Sequence, residues 1–244
     1  MIIPIVLHKV VESRVIDFED INRTILNKIF SDDPNKYITV DNLDYFNEQD
    51  RETYYLVTFD DGYLSDYSIV FPKLKELNIR ATFFINPQVV GLNGYLSWDM
   101  IREMSDYGMC FGSHSDSHPD MTVISSERVE KEFVNSKVII SNEIGKDINA
   151  FSFPFGFYDF KLVKCAINLG YKKCFISDHG IYKPDKLIIP RNSINSTMDA
   201  AHVEKILQCS KRTRLKWELE DLIKRFLKRT FGINFYKKLR NIIL

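Results

Sequence analysis

The chain has 244 residues, of which 45% are hydrophobic and 27% are charged. This composition is typical of a soluble globular protein and excludes a disordered chain. Basic and acidic residues both number 33, so the net charge does not indicate any class of partner.

The N-terminal run 2–7 is apolar, but no basic residue precedes it and Pro4 interrupts it. It therefore predicts a buried first strand, not a signal peptide. The four cysteines show neither a Cys-x-x-Cys pair nor metal-site spacing, so we interpret them as free thiols. Free thiols and the lack of a signal peptide together predict a cytoplasmic protein.

Predicted strands and helices alternate after residue 50. The strands are predicted at 2–7, 54–59, 81–85, 109–112, 150–153, 173–176 and 187–189. Helices are predicted at 67–77, with Pro72 near its first turn or at a kink, at 98–107, from 125 or 126 to about 144, and from the Asp159 cap to 169. Residues 11–50 are polar and weakly periodic, which fits either a helix with a long crossover or a loop region near the site.

Apolar strands separated by helices of this length indicate an α/β fold with a parallel sheet covered on both faces. Seven strands suit a (β/α) barrel over residues 1–210. A doubly wound open sheet is the alternative, which the pattern alone does not exclude.

Residues 211–244 differ in composition from the rest and predict a basic amphipathic helical extension. They contain 11 basic and 3 acidic residues. Leu215, Leu219, Leu222 and Phe226 form one apolar helical stripe. We favour a helix packed on the barrel with its basic face in solvent; the alternative is a surface helix on an anionic membrane. No motif supports nucleic-acid binding.

Four polar groups follow predicted strands, where functional residues gather in α/β folds. They are Thr58–Tyr63 (TFDDGY), Ser113–His118 (SHSDSH), 151–156 (FSFPFG) and His8. Taken alone, each has an ordinary structural interpretation: a turn, a polar loop, an apolar turn and a packed histidine. Two histidines four residues apart, on one helical face or in a tight loop, also suit one metal ion, and with one carboxylate they leave positions open for catalysis.

Together, these motifs resemble the polysaccharide deacetylases, carbohydrate esterase family four. The order and separation of TFDDGY, SHSDSH and FSFPFG carry the resemblance, with ATFFIN and LSWDMIREMSDYGMCFGSHS between them. The resemblance covers roughly residues 54–191. It implies a distorted (β/α) barrel and an enzyme that removes N-acetyl, less often O-acetyl, groups from sugars by hydrolysis.

The resemblance assigns a role to each motif. Asp61, His114 and His118 would hold one divalent ion, most often Zn²⁺, with Co²⁺ or Ni²⁺ as alternatives, and Asp60 would be the general base. The backbone N–H of Phe155 would contribute to an oxyanion hole. Substrate contacts are predicted for Tyr63, Trp98 and Pro154.

The sequence departs from the family pattern at two positions. Ser152 stands where many members carry an arginine against the catalytic aspartate, and Arg191 is the candidate replacement. The strand that carries the general-acid histidine is absent from the C-terminal part, and residues 4–10 look like that strand moved to the N-terminus. This resembles the circularly permuted branch that includes poly-N-acetylglucosamine deacetylases. His8 would then be the acid, with His179 as a competitor and His202 as a structural residue.

The sequence therefore predicts a metal-dependent sugar N-deacetylase. Its expected partner is an N-acetylated carbohydrate, and contact of 211–244 with the inner face of an anionic membrane is the alternative to packing on the barrel. Two alternatives remain: hydrolysis of a non-sugar C–N amide bond, and a carbohydrate-binding pseudoenzyme.

Overall fold

The computed structural model describes residues 1–12, 15, 17–46, 52–184 and 186–243, with side chains except at 224, 225, 228, 229 and 232–243. The strands are β1 (Ile2–Leu7), β2 (Val10–Val11), β3 (Ile21–Asn22), β4 (Tyr37–Ile38), β5 (Tyr54–Phe59), β6 (Thr82–Ile85), β7 (Cys110–Ser113), β8 (Ala150–Ser152), β9 (Lys173–Phe175), β10 (Ile188–Ile189) and β11 (Asn192–Ser193). The α-helices are α1 (Arg23–Ile29), α2 (Phe71–Leu77), α3 (Trp98–Asp106), α4 (Ser126–Ile144), α5 (Phe160–Asn168), α6 (Ala200–Gln208) and α7 (Lys211–Ile243).

One parallel sheet forms the centre of the protein. Its strand order is β10-β9-β8-β7-β6-β5-β1-β11, and β4 pairs with β5. The two end strands, β10 and β11, are separated in the chain only by Pro190 and Arg191. Because consecutive residues connect its two edges, the sheet curls back on itself. The predicted parallel (β/α) barrel is confirmed as a curled sheet with β10 and β11 at its two ends.

The predicted strands and helices are all present, with ends that differ by a few residues. Ser97, Ser125 and Asp159 accept hydrogen bonds from backbone N–H groups at the starts of α3, α4 and α5. The predicted helix at 67–77 consists of a π-helical turn (Asp66–Val70) followed by α2, with Pro72 in its first turn. The strands are buried on both faces, as their apolar runs predict.

Residues 11–46 contain more structure than their polar pattern predicts. Within them the chain forms β3, α1, β4 and two 3₁₀ turns, and β2 pairs in parallel with β3. Residues 13, 14, 16 and 47–51 lie outside the described residues. Phe18 and Glu19 reach the groove described below, so this region contributes both a helix and a loop near the site.

The long helix α7 turns a different face to the barrel than its apolar stripe predicts. Trp217 and Asp221 are buried against the rest of the protein, whereas Leu219 and Phe226 are exposed. The four-residue stripe lies on the opposite side of α7 from Trp217, with 58–66% of each side chain accessible to solvent. The helix packs on the barrel, but not through its apolar stripe. No helix among the described residues is long and apolar enough to cross a membrane.

Candidate active site

A groove of about 400 Å³ lies at the carboxyl ends of the strands. Side chains that directly follow β1, β5 and β7 line it, namely His8, Asp60, Asp61 and His114. Parallel strands place their carboxyl ends on the same side of the sheet, so residues far apart in the chain meet there. The groove therefore joins three of the four polar groups singled out from the sequence, and Phe155 adds the fourth.

The turn after β5 has an unusual backbone at Asp61 and Gly62. Their φ angles are 75° and 71°, in the left-handed region that is strained for residues other than glycine. A Cβ on Gly62 would also lie 3.2 Å from Ile85 Cδ1. The turn sends the two neighbouring carboxylates in different directions: Asp60 is buried, and Asp61 is partly exposed in the groove.

The two histidines of SHSDSH meet in a tight loop, not on a helical face. Ser115 and His118 have φ angles of 63° and 54°, and the Ser115 hydroxyl accepts a hydrogen bond from the His118 N–H at 2.9 Å. Their ring nitrogens converge, with His114 Nε2 3.1 Å from His118 Nε2. Each of these nitrogens lies 3.4 Å from Asp61 Oδ1.

This spacing fits a single metal ion. A tetrahedral ion with ligand bonds of about 2.0–2.1 Å separates its ligand atoms by roughly 3.3 Å. His114 Nδ1 lies 2.8 Å from the Ser152 carbonyl oxygen, so Nδ1 carries the proton and Nε2 presents a lone pair to the cluster. Burial and the neighbouring His114 lower the pKa of His118 to about 4, which favours the neutral imidazole that a metal requires.

Asp60 forms a bidentate ion pair with Arg191. Arg191 Nη1 and Nη2 each donate to one carboxylate oxygen at 2.7 Å, and both residues are almost fully buried. Ser152 completes the arrangement, because its hydroxyl donates to Asp60 Oδ2 at 2.9 Å and accepts from Arg191 Nη2 at 2.7 Å. Burial alone would raise the pKa of Asp60, but the Arg191 charge, with a smaller effect of His114, holds it well below its usual value.

His8 lies at the groove beside the candidate ligands. One of its ring nitrogens, a Glu19 oxygen and an Asp61 oxygen all lie within 4.8 Å of one another. His8 Nδ1 is buried and has no hydrogen-bond partner among the described residues. The imidazole of His8 therefore lies at the groove, near the cluster.

The other two histidines occupy different surroundings. His179 lines the same groove, with its Nδ1 3.0 Å from Asp221 Oδ1 and its ring stacked on Trp217. His202 is exposed at the start of α6, where its Nδ1 lies 2.7 Å from Asp199, the residue that caps that helix. The structural interpretation of His202 agrees with this position, and His179 remains a second imidazole at the groove.

The turn after β8 places Phe155 against the candidate ligands. Phe155 has a φ of 57°, and its ring contacts His118 edge-on with centroids 4.6 Å apart. Gly156 follows with a φ of 66°, and a Cβ there would lie 2.4 Å from the Ser177 Cβ. Only glycine allows this close approach of the turn to the neighbouring chain.

The three residues predicted to bind substrate do not line the groove. Tyr63 stacks on Tyr95 with centroids 5.3 Å apart. Trp98 packs partly against the hydrophobic core at the start of α3, and Pro154 is buried beneath the Phe155 turn. Their substrate contacts stay a prediction.

Glu132 on α4 supports the histidine loop, and it was missed from the sequence. Its buried carboxylate accepts hydrogen bonds from the backbone N–H groups of Asp116 and Ser117, at 2.9 and 2.7 Å, and from the Ser117 hydroxyl. These bonds hold the loop between the two histidines. The available signal was an acidic residue within the apolar face of α4, beside Phe133.

We expect Glu132→Gln to weaken binding of a divalent ion by about 10-fold or more. Substitution of a residue that orients metal ligands typically has an effect of this size. An amide offers one acceptor oxygen where the carboxylate offers two, so the loop loses part of its support. The measurement is Zn²⁺ affinity by competition with a chelating dye, alongside the free energy of unfolding. Glu130→Gln, at an exposed position on α4, is the matched control. Unchanged Zn²⁺ affinity in Glu132→Gln would contradict this role.

Asp66 is a second buried carboxyl near the cluster. Both of its oxygens lack hydrogen-bond partners among the described residues. Burial, with smaller effects of Asp61 and Asp60, raises its pKa well above the usual value. Asp66 therefore keeps its proton to a higher pH than an exposed aspartate, which limits repulsion beside the two site carboxylates.

Comparison with known proteins gives one family. Residues 47–174, just over half of the chain, match the family described as polysaccharide deacetylase. Peptidoglycan-N-acetylmuramic acid deacetylase PdaA of Bacillus subtilis is 31% identical over 135 residues, which cover 54% of this chain and 49% of PdaA. The chain spans about half the length of three curated relatives that it matches.

Two solved structures share the fold. The Streptococcus pyogenes deacetylase PplD in complex with acetate superposes with a TM-score of 0.75 at 20% identity, covering 84% of this chain and 97% of PplD. IcaB from Ammonifex degensii superposes with a TM-score of 0.71 at 22% identity, covering 85% and 97%. The coverage extends well beyond residues 47–174, so most of this chain adopts the same architecture as these two proteins.

Proposed function

Because the chain belongs to the polysaccharide deacetylase family, we propose that it is a metal-dependent hydrolase that removes acetyl groups from N-acetylated sugars. The observation that carries the proposal is the convergence of Asp61, His114 and His118 beside a buried, arginine-paired Asp60. The relatives' names support acetyl removal from carbohydrates, and PdaA is named for N-acetylmuramic acid.

Asp61, His114 and His118 would hold the metal ion, with Zn²⁺ first and Co²⁺ or Ni²⁺ as alternatives. A divalent ion bound there acts as a Lewis acid toward an acetyl carbonyl and makes water a stronger nucleophile. The three side chains need little rearrangement to hold it, since their ligand atoms already lie 3.1–3.4 Å apart.

Asp60 would be the general base. Its depressed pKa keeps it ionised at neutral pH, so it is ready to accept a proton. Each carboxylate oxygen has two lone pairs, and the bonds from Arg191 and Ser152 leave Oδ1 with one accepted hydrogen bond and Oδ2 with two. Asp60 therefore retains acceptor capacity while Arg191 fixes its orientation.

His8 would donate the proton to the departing amine, and the Phe155 backbone N–H would bind the developing oxyanion. The position of His8 in the groove and its proximity to Asp61 support the first assignment. The contact between the Phe155 ring and His118 supports the second, because it holds the turn beside the candidate ligands. His179 is the competing acid, since it lines the same groove.

We expect acetate release from at least one of three substrates: N-acetylglucosamine oligomers, a nucleotide-linked N-acetyl sugar and a lipid-linked N-acetyl sugar. A chelator should abolish release, and added Zn²⁺, Co²⁺ or Ni²⁺ should restore it, because the proposed electrophile is the ion. No acetate from any of the three with the ion bound would overturn sugar deacetylation. Release from a non-sugar amide, or sugar binding without turnover, would then identify one of the two alternatives.

We further propose that the outward stripe of α7 contacts an anionic membrane. Leu215, Leu219, Leu222 and Phe226 are exposed on a segment with 11 basic and 3 acidic residues. That positive charge complements anionic lipid and opposes the pairing of two copies of the helix. A cytoplasmic location, at the inner face of the membrane, stays a prediction.

Leu219→Ser/Leu222→Ser should reduce binding to phosphatidylglycerol vesicles by about 10-fold or more, because less apolar surface enters the interface. Leu92→Ser/Val123→Ser removes two exposed apolar side chains elsewhere and should bind as the unaltered chain does. The measurement is co-sedimentation, with phosphatidylcholine vesicles as the neutral comparison. Equal binding to both lipids, or a dimer that the α7 change dissociates, would contradict the proposal.

A further inference from the structure

A second cavity, of about 660 Å³, lies between α6 and α7 beside the groove. His179, Met198 and Glu220 line both the cavity and the groove. The two spaces are therefore neighbours, so one molecule extending out of the groove would enter the cavity. Asp60, Asp61, His8, His114, His118 and Phe155 do not line it, and His179, the competing acid, stands where the two spaces meet.

The cavity wall is positively charged. Lys205 of α6 and Arg212 and Lys216 of α7 face it, against a single carboxylate, Glu220. Lys216 Nζ lies 3.5 Å from Glu220 Oε1. Within the part of the chain that the structure describes, Lys205 and Arg212 have no carboxylate within 4.0 Å, so their charges remain available to an anion.

The wall is also fixed relative to the groove. Asp221 accepts a hydrogen bond from the His179 backbone N–H at 2.8 Å, and its other oxygen lies 3.0 Å from His179 Nδ1. Trp217 stacks on the same imidazole, with an interplanar angle of 12° and ring centroids 5.6 Å apart. These contacts tie the first turns of α7 to the loop after β9, so the cations stand at a defined position beside the groove.

We propose that this cavity binds the diphosphate of a diphosphate-linked N-acetyl sugar whose acetylated unit occupies the groove. The inference rests on the proposed deacetylase function and names its substrate class. Three cations distributed over two helices match a diphosphate, whose charge is spread over two groups, better than a single carboxylate. The diphosphate belongs to either a lipid carrier or a nucleotide, since both present the same group next to the sugar.

The first test is binding of inorganic pyrophosphate to the full chain by titration calorimetry, with and without bound Zn²⁺. Lys205→Ala/Arg212→Ala should weaken binding by about 10-fold or more, because two charge-assisted contacts are lost. Lys161→Ala/Lys164→Ala removes the same charge from exposed positions on α5 and is the matched control. The Zn²⁺-free arm is needed because pyrophosphate also binds metal ions.

The second test compares KM values for three substrates: an N-acetylglucosamine oligomer, a nucleotide-diphosphate N-acetylglucosamine and a polyprenyl-diphosphate N-acetylglucosamine in anionic vesicles. The cavity variant should raise KM for a diphosphate-linked sugar by about 10-fold relative to the oligomer. Leu219→Ser/Leu222→Ser distinguishes the sources, because it should raise KM only for the lipid-linked substrate.

Pyrophosphate binding that the cavity and control variants weaken equally, or that neither weakens, would overturn the inference. Failure of the inference and failure of the proposed function are distinguishable, because pyrophosphate binding requires no acetate release. If the protein deacetylates neutral oligomers but the cavity variant does not specifically weaken pyrophosphate binding, only the inference is wrong. If the cavity variant specifically weakens pyrophosphate binding but no substrate is deacetylated, the proposed function is wrong.

Discussion

Asp60→Asn is expected to lower kcat for acetate release by about 10²–10⁴-fold, the contribution of a general base. An amide oxygen does not accept a proton from water at neutral pH, although it preserves the size of the side chain. The ion should remain bound, because Asp61, His114 and His118 are unchanged. The measurement is kcat at saturating substrate, with bound Zn²⁺ and the free energy of unfolding determined on the same preparation.

Ser152→Ala is the matched control for this prediction. It removes one hydrogen bond to Asp60 but leaves the carboxylate and both of its bonds to Arg191 in place. One lost hydrogen bond of this kind costs about 1–2 kcal/mol, so kcat should fall by at most roughly 30-fold. An Asp60→Asn variant that binds Zn²⁺ and releases acetate no more slowly than Ser152→Ala would show that another group is the base.

The central strands could be predicted because each is an apolar run bounded by polar turns. β1 and β5 are buried along almost their whole length, so their composition carries the information locally. β11 could not be predicted in this way, because it is two polar residues, Asn192–Ser193. Its position depends on tertiary contacts: Asn192 Nδ2 donates to the Pro4 carbonyl, 188 residues away, and to the Gly180 carbonyl.

The candidate site shows the same division between local and distant information. The adjacent aspartates and the spaced histidines are local patterns, so the sequence could name them. The pairing of Arg191 with Asp60 joins residues 131 positions apart, and spacing alone could only make Arg191 a candidate. The family's arginine position holds Ser152, whose small side chain leaves room for Arg191 and bonds to both partners.

The tail illustrates a limit of periodicity. A stripe of leucines predicts a helix and an apolar face, and α7 has both. Periodicity does not identify what covers that face. Here Trp217 and Asp221, on the other side of the helix, make the specific contacts with His179 and determine which side meets the barrel.

Arg191→Met is expected to lower the free energy of unfolding at pH 7 by about 3–5 kcal/mol, the cost of leaving a buried charge unpaired. Methionine fills much of the arginine volume without supplying charge or donors. Arg191→Lys keeps the charge but loses the bidentate geometry, so its free energy of unfolding should fall less than that of Arg191→Met. Asp60→Asn/Arg191→Met should recover part of the loss, because it removes the unpaired carboxylate as well.

The pH dependence of the free energy of unfolding tests whether the effect of Arg191→Met is electrostatic. In the unaltered chain the pKa of Asp60 is depressed, so the stability from the pair is present above about pH 4 and is lost as pH falls toward the folded-state value. Without Arg191, burial raises that pKa, so the variant loses stability as pH rises above about 4. The difference between the two chains should therefore be larger at pH 7 than at pH 5, measured by urea unfolding of ion-free protein. An equal difference at both pH values would mean that Arg191 acts by packing alone, because a lost packing contact does not depend on the ionisation of Asp60.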